Sequence, residues 1–167
     1  MLRTIVLLTS LIMFLSSCAT FYNTPASGEP AATFVEKVDK NSLGQNRTFS
    51  LAEIDGKPVS HMLTSNDNNA IRVQPGTRRM LFRVDYRNDF IDGQFRAYFG
   101  LELNVEAGKR YQLGGTVSQR HDVVITLTDL AKPDTPWVQA TGVGRAVVPG
   151  ATIGVAGGGF VTIQGKE

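Results

Sequence analysis

Of its 167 residues only one is a cysteine, Cys18, and only two are histidines, His61 and His121. A lone cysteine rules out an internal disulfide framework and a cysteine-rich metal cluster. A zinc site needs three or four ligands, and neither histidine has a partner at ligand spacing; His121 and Asp122 are adjacent, not across a face. Charge of one sign is scarce too. Seventeen Lys and Arg against fifteen Asp and Glu leave a formal charge of +2. A nucleic-acid footprint needs a concentrated basic stripe, so nucleic acid is not an expected partner. The serines lack a G-x-S-x-G nucleophile elbow. Gly157-Gly158-Gly159 lacks the lysine and following helix pattern of a phosphate loop. No catalytic residue, cofactor site or metal site is expected. Long apolar runs are missing as well. The longest, residues 5–15, is near half of the roughly 20 residues a membrane span requires.

That short run is informative through its flanks. Arg3 precedes it, and Leu15-Ser16-Ser17-Cys18 ends it. A basic start, an apolar middle and small residues before a cut read as a secretory signal. The last four residues resemble the bacterial lipoprotein box, whose cysteine is acylated and becomes the new N-terminus. The resemblance implies residues 1–17 as signal peptide and Cys18 as the lipidation site. It also implies three acyl chains, palmitate among them, which hold far more firmly than a single reversible chain. Ala19 follows Cys18 where an enterobacterial inner-membrane lipoprotein carries Asp, so the resemblance implies the periplasmic face of the outer membrane. An acylated Cys18 leaves no thiol for redox chemistry.

Residues 18–30 then read as the lipidated cysteine and a tether, with two prolines, a glycine and polar residues. At roughly 5–6 Å × √n such a tether lets the domain stand about 20 Å from the lipid. Phe21 and Tyr22 break its polarity. They are read either as headgroup-zone aromatics or as ordinary tether residues.

From residue 31 the apolar period is two. Phe34 and Val38 face one way. Met80, Phe82, Val84 and Tyr86 alternate with Leu81, Arg83, Asp85 and Arg87. Phe95, Ala97, Phe99, Leu101, Leu103 and Val105 follow suit, then Val123, Ile125 and Leu127. This marks strands with one buried and one wet face. Asp55-Gly56 predicts a type I′ turn. Pro75-Gly76 predicts a type II turn. Glu106-Ala107-Gly108-Lys109 is expected as a tight hairpin, and Asn66-Asp67-Asn68-Asn69 as a polar loop. The expected fold is all-β: a single antiparallel β-sandwich over residues 31–141.

Ile54-Asp55-Gly56-Lys57-Pro58-Val59, Val73-Gln74-Pro75-Gly76-Thr77-Arg78, Val84-Asp85-Tyr86 and Glu106-Ala107-Gly108-Lys109-Arg110-Tyr111 occur in that order. This series resembles small bacterial lipoproteins of unknown function with a prealbumin-like β-sandwich. The likeness covers residues 34–129 and rests on turn and core positions. It implies a fold and no catalytic residue. Thr77-Arg78 departs from it, where a histidine would follow the Pro-Gly turn.

Two surfaces remain. Arg79, Arg83 and Arg87 share the polar face of one strand, Arg96 begins the next, and Arg72 and Arg110 are close candidates. Guanidinium forks match phosphate and carboxylate oxygens, so this is a candidate face for an anionic envelope ligand or a protein partner. The competing reading is a solvated face paired to Asp85, Asp89, Asp92 and Glu102. Residues 142–167 form a glycine-rich segment whose only charges before its last two residues is Arg145. Its spacing suits an extra hairpin over 144–148 and 152–155, a strand over 160–164, or a contact element for a partner. The expected role is a non-catalytic lipoprotein acting as a binding or assembly module. The alternative is a subunit of a larger envelope complex that uses the glycine-rich segment.

Overall fold

The computed structural model describes residues 20–40, 45–60, 70–88 and 93–147, and the backbone of Val161–Thr162. Cys18, His61, the loop 66–69, Asp89, Asp92 and the glycines 157–159 lie outside the described residues. Two sheets pack face to face as a β-sandwich. One sheet runs β10 (Pro136–Val143), β9 (Asp122–Asp129), β8 (Arg110–Val117), β1 (Ala32–Val35), β5 (Ala70–Val73). The other runs β11 (Arg145–Ala146), β7 (Phe95–Val105), β6 (Gly76–Arg87), β3 (Asn46–Ile54), β2 (Lys37–Lys40); β4 (Lys57–Pro58) adds to β3 and β12 (Val161–Thr162) to β7. Most pairings are antiparallel. β1 on β8 and β12 on β7 are parallel.

The alternation that reads as strand is also what fills the core. Phe34, Ile71, Tyr111, Leu113, Ile125 and Leu127 from one sheet meet Phe49, Leu51, Met80, Phe82, Val84 and Leu101 from the other. At about 25 cal/mol per Å² of apolar surface removed from water, these rings and branched chains drive the association of the sheets. Asp55 at φ 51 and Gly56 at φ 73 close the β3–β4 hairpin with two left-handed residues, as a type I′ turn requires.

Several local readings change. Val38 does not share a face with Phe34: the chain changes sheet at Glu36, and Val38 lies 44% exposed on the edge strand β2. Glu36 Oε1 accepts the Leu51 N–H at 2.9 Å, next to the β3 irregularity between Leu51 and Glu53. The link 106–109 is an arch, not a hairpin, because β7 and β8 belong to different sheets. Its polar groups pair with β1 and its approach instead: the Gly108 N–H donates to Ala31 O and the Thr33 N–H to Lys109 O, both at 2.9 Å.

Residues 20–30 are docked rather than free. Tyr22 is 8% exposed and belongs to the core. Strand structure also crosses 141/142. β10 continues to Val143, and Arg145–Ala146 then crosses to pair with β7. The hairpin expected over 144–148 and 152–155 involves residues that lie outside the described ones. Val161–Thr162 falls inside the strand expected over 160–164. The start of the glycine-rich segment is sandwich.

One ion pair ties the two ends of the β8–β9 unit. Lys109 Nζ stands 2.9 Å from Asp129 Oδ2. That hydrogen bond, with a second from the Ala131 N–H, holds the Asp129 carboxyl below its usual range. A depressed carboxylate stabilises the fold above its unfolded value of about 3.9 and loses that contribution as pH falls through the folded value. Urea midpoints should therefore decline in acid for the parent chain. They should decline less for Asp129→Asn over the same window, below about pH 4. Parallel curves would remove the pair from the account of acid stability.

Candidate functional site

The four arginines sit on the outer face of the β6–β7 pair, where alternate residues share a face. Arg79 lies opposite Glu102, with Nε 3.3 Å from Oε2. Asp85 lies opposite Arg96, with Oδ1 2.6 Å from Nε. Arg83 comes from two residues back on the same strand, its Nε 2.8 Å from Asp85 Oδ2. This last contact is one of charge only. The buried Arg83 Nε–H makes no hydrogen bond to the carboxylate and has no acceptor among the described residues. One carboxylate thus serves two guanidinium groups and leaves one positive charge uncompensated among the three. Burial works to lower Arg96, but its hydrogen bond and charge contact with Asp85, with help from Tyr98, hold it above its ordinary value.

Arg87 differs from the other three. It is exposed at the end of β6, opposite Asn46 of β3, and makes no ion pair among the described residues. It borders a concavity of about 310 Å³ lined by Asn46, Thr48, Asp85, Tyr86, Arg87 and Gln94. Two amides, a hydroxyl, a carboxylate and a guanidinium belong to the residues that line this hollow. Such a set can orient a polar or anionic group. The arginine face expected from sequence therefore divides. Arg79, Arg83 and Arg96 are largely engaged with Glu102 and Asp85, while Arg87 is brought to a hollow. Arg72 lies elsewhere, on β5, and is used by the N-terminal segment. Arg110, on β8, belongs to the other sheet.

Beneath the hollow, on the core side, lies an aromatic stack. The Tyr86 and Phe95 ring centroids are 5.5 Å apart, and those of Phe95 and His121 are 3.9 Å apart. His121 occupies the β8–β9 turn at φ 65, so its position at a loop edge agrees with the sequence reading. Its ring, however, is packed rather than free. The Tyr86 hydroxyl, His121 Nδ1 and Arg47 Nε are buried without a hydrogen-bond partner among the described residues. Burial, then the charge of Asp122, pushes the Tyr86 hydroxyl up to about 12. No hydrogen bond joins these groups to one another among the described residues. No cluster of three metal-ligating side chains is gathered among the described residues.

Asn46, Thr48 and Gln94 were not singled out by sequence. Gln94 carries no motif, and the Asn46-Arg47-Thr48 triplet, a match to a glycosylation sequon, says nothing of binding; the three become neighbours only through the β3–β6–β7 register. Compared with family models, curated proteins and solved structures, the chain matches none.

Proposed function

We propose that this protein is a lipid-anchored, non-catalytic lipoprotein of the outer membrane, whose periplasmic β-sandwich binds an anionic envelope ligand or protein partner. The lipoprotein box ending at Cys18 supports the anchor. The observation that carries the binding role is the hollow at the end of β6, bordered by an arginine without an acidic partner among the described residues. Arg79, Arg83 and Arg96 serve mainly to keep the neighbouring face ordered, since their carboxylates are already shared. Assembly through residues 142–167 has less surface to offer, because Gly142–Val143 and Arg145–Ala146 are already used by the sandwich.

The binding role is tested by titrating the domain with inorganic phosphate and with soluble, carboxylate-bearing peptidoglycan fragments while recording amide shifts. The shifts should concentrate at Asn46, Thr48, Arg87 and Gln94 for one of the two probes. A charge-assisted hydrogen bond is worth about 1.5–3 kcal/mol. Arg87→Ala should therefore weaken that probe by about tenfold or more, whereas Arg79→Ala should change little. Absence of localised shifts with either probe sinks the hollow as the binding site. The anchor is tested apart: mass spectrometry of the membrane fraction should find an acylated Cys18 peptide, and Cys18→Ser should leave the precursor uncut.

A further inference from the structure

The segment between the proposed anchor and the sandwich carries more structure than a spacer needs. The Tyr22 N–H donates to Pro58 O at 2.9 Å, and the Gln74 N–H donates to the Tyr22 hydroxyl at 2.9 Å. Arg72 gathers the following turn. Its guanidinium donates to the carbonyls of Ala26 at 2.6 Å, Glu29 at 2.7 Å and Pro25 at 3.3 Å. A planar cation that satisfies three carbonyls of one short segment fixes its path. A linker that only had to span a gap would stay solvated and keep its entropy.

The place of docking matters. Pro58 and Gln74 belong to the end of the sandwich that holds the Asp55-Gly56 turn, the Pro75-Gly76 turn and the 106–109 arch. The hollow lies at the other end. β6 runs the whole way, from Gly76 beside Gln74 to Arg87 at the hollow. Twelve residues at about 3.3 Å per step place these two ends about 36 Å apart. Cys18 precedes the buried Tyr22 by four residues. Fully extended, four residues reach about 14 Å. A free 13-residue tether would reach about 45 Å and allow any orientation. Phe21, 61% exposed beside the buried Tyr22, adds an apolar ring at the same place.

We infer that residues 20–30 are a strap that seats the turn-bearing end of the sandwich directly on the lipid leaflet, with Phe21 at the interface, and turns the Arg87 hollow away from it. This rests on the lipid-anchor reading. The charges at the seated end supply both signs, Lys57, Arg78 and Lys109 against Asp55, Glu106 and Asp129, so seating follows from the short leash and the apolar ring rather than from a basic patch. Headgroups of the anchoring leaflet then lie out of reach of the hollow, whose ligand comes from the water side.

The test attaches the lipid chemically, which separates orientation from what the cell does with Cys18. A chain starting at Cys18 is coupled through its thiol to a maleimide phospholipid in phosphatidylethanolamine–phosphatidylglycerol vesicles that also contain brominated lipid. In a Trp137→Phe background, a reporter tryptophan replaces either Lys57, at the seated end, or Arg120, in the β8–β9 turn at the far end. Bromine should quench the Lys57→Trp reporter several-fold more than the Arg120→Trp reporter. Releasing the strap with Arg72→Ala, alone and with Tyr22→Ala, should shrink that contrast while circular dichroism still reports a folded sheet. Equal quenching of the two reporters, or a contrast unchanged by a folded Arg72→Ala variant, overturns the inference. Failure to find acylated Cys18 in cells overturns only the anchor reading.

Discussion

Gly115→Ala is expected to cost the domain about 3 kcal/mol or more, while Gly114→Ala, one residue earlier on the same strand, costs far less. Gly115 lies within β8, opposite Ile125 of β9. Its φ is +148°, a region that side-chain-bearing residues rarely adopt. A Cβ placed there would stand 1.9 Å from the Val124 carbonyl oxygen and 3.0 Å from Phe49 Cε1. The first obstacle is backbone and cannot rotate away. The second is a core ring from the opposite sheet, so relief in that direction would push the sheets apart. At Gly114 the same atom meets only Thr126 Oγ1 at 3.5 Å and Lys37 Cδ at 3.8 Å, both ordinary contacts. Domains of this size are stable by about 5–15 kcal/mol, so the loss at Gly115 is a large share of the total. Urea midpoints of the two variants decide the matter. If they coincide, β8 relaxes freely, and neither the backbone conformation nor the Phe49 contact constrains it.

The contrast between those glycines also shows where sequence patterning stops. Both sit in one strand of alternating residues, and nothing local separates them. The difference comes from Val124 and Phe49, which reach β8 through strand pairing and sheet packing. Alternation over 80–86, 95–105 and 123–127 was legible because each strand buries one face, and a one-residue slip would expose every core side chain. Asp55-Gly56 was legible because its requirement is a property of two residues. The 106–109 link was not. A hairpin and an arch use the same turn residues, and only distant Ala31 and Thr33 decide between them. Glu36 is similar: its side chain caps an N–H fifteen residues away, and that marks where β1 leaves one sheet and β2 enters the other.

For the candidate site the sequence supplied the cations and left their partners open. Spacing alone put Arg79, Arg83 and Arg87 on one face. Register decided that Glu102 and Arg96 lie opposite Arg79 and Asp85. On the other side of β6, the β3 register sets Arg87 across from Asn46, and both border the hollow. Arg72 gave no hint of its role, since its three acceptors lie more than forty residues earlier and are backbone carbonyls that any sequence provides.

A chain ending at Thr141 is expected to lose stability on the order of 3 kcal/mol, the result that favours extra strands over a contact element for the start of residues 142–167. The glycines explain why. A Cβ on Gly142 would lie 3.0 Å from Phe99 Cε1, and one on Gly144 would lie 1.9 Å from the Tyr86 hydroxyl. Their bare backbone therefore lies against the edges of two core rings. The Gly144 N–H donates to His121 O at 2.9 Å and the Val147 N–H to Gln94 O at 2.8 Å, so the crossing is held at both ends. Between them Arg145–Ala146 pairs with Arg96 and Phe95, covering part of the β7 edge. Removing the segment bares about 100 Å² or more of ring surface and opens a strand edge to other chains. Tyr86 provides a local readout. Its hydroxyl, pushed up to about 12 mainly by burial, should titrate nearer the ordinary tyrosine value of about 10 once water reaches it. A chain ending at Val147 keeps both glycines and the crossing, and should retain most of the stability and the high titration. Should the Thr141 and Val147 truncations instead share one urea midpoint and one tyrosine titration, Gly142 and Gly144 do not seal the core, and residues 142–147 are free to serve a partner after all.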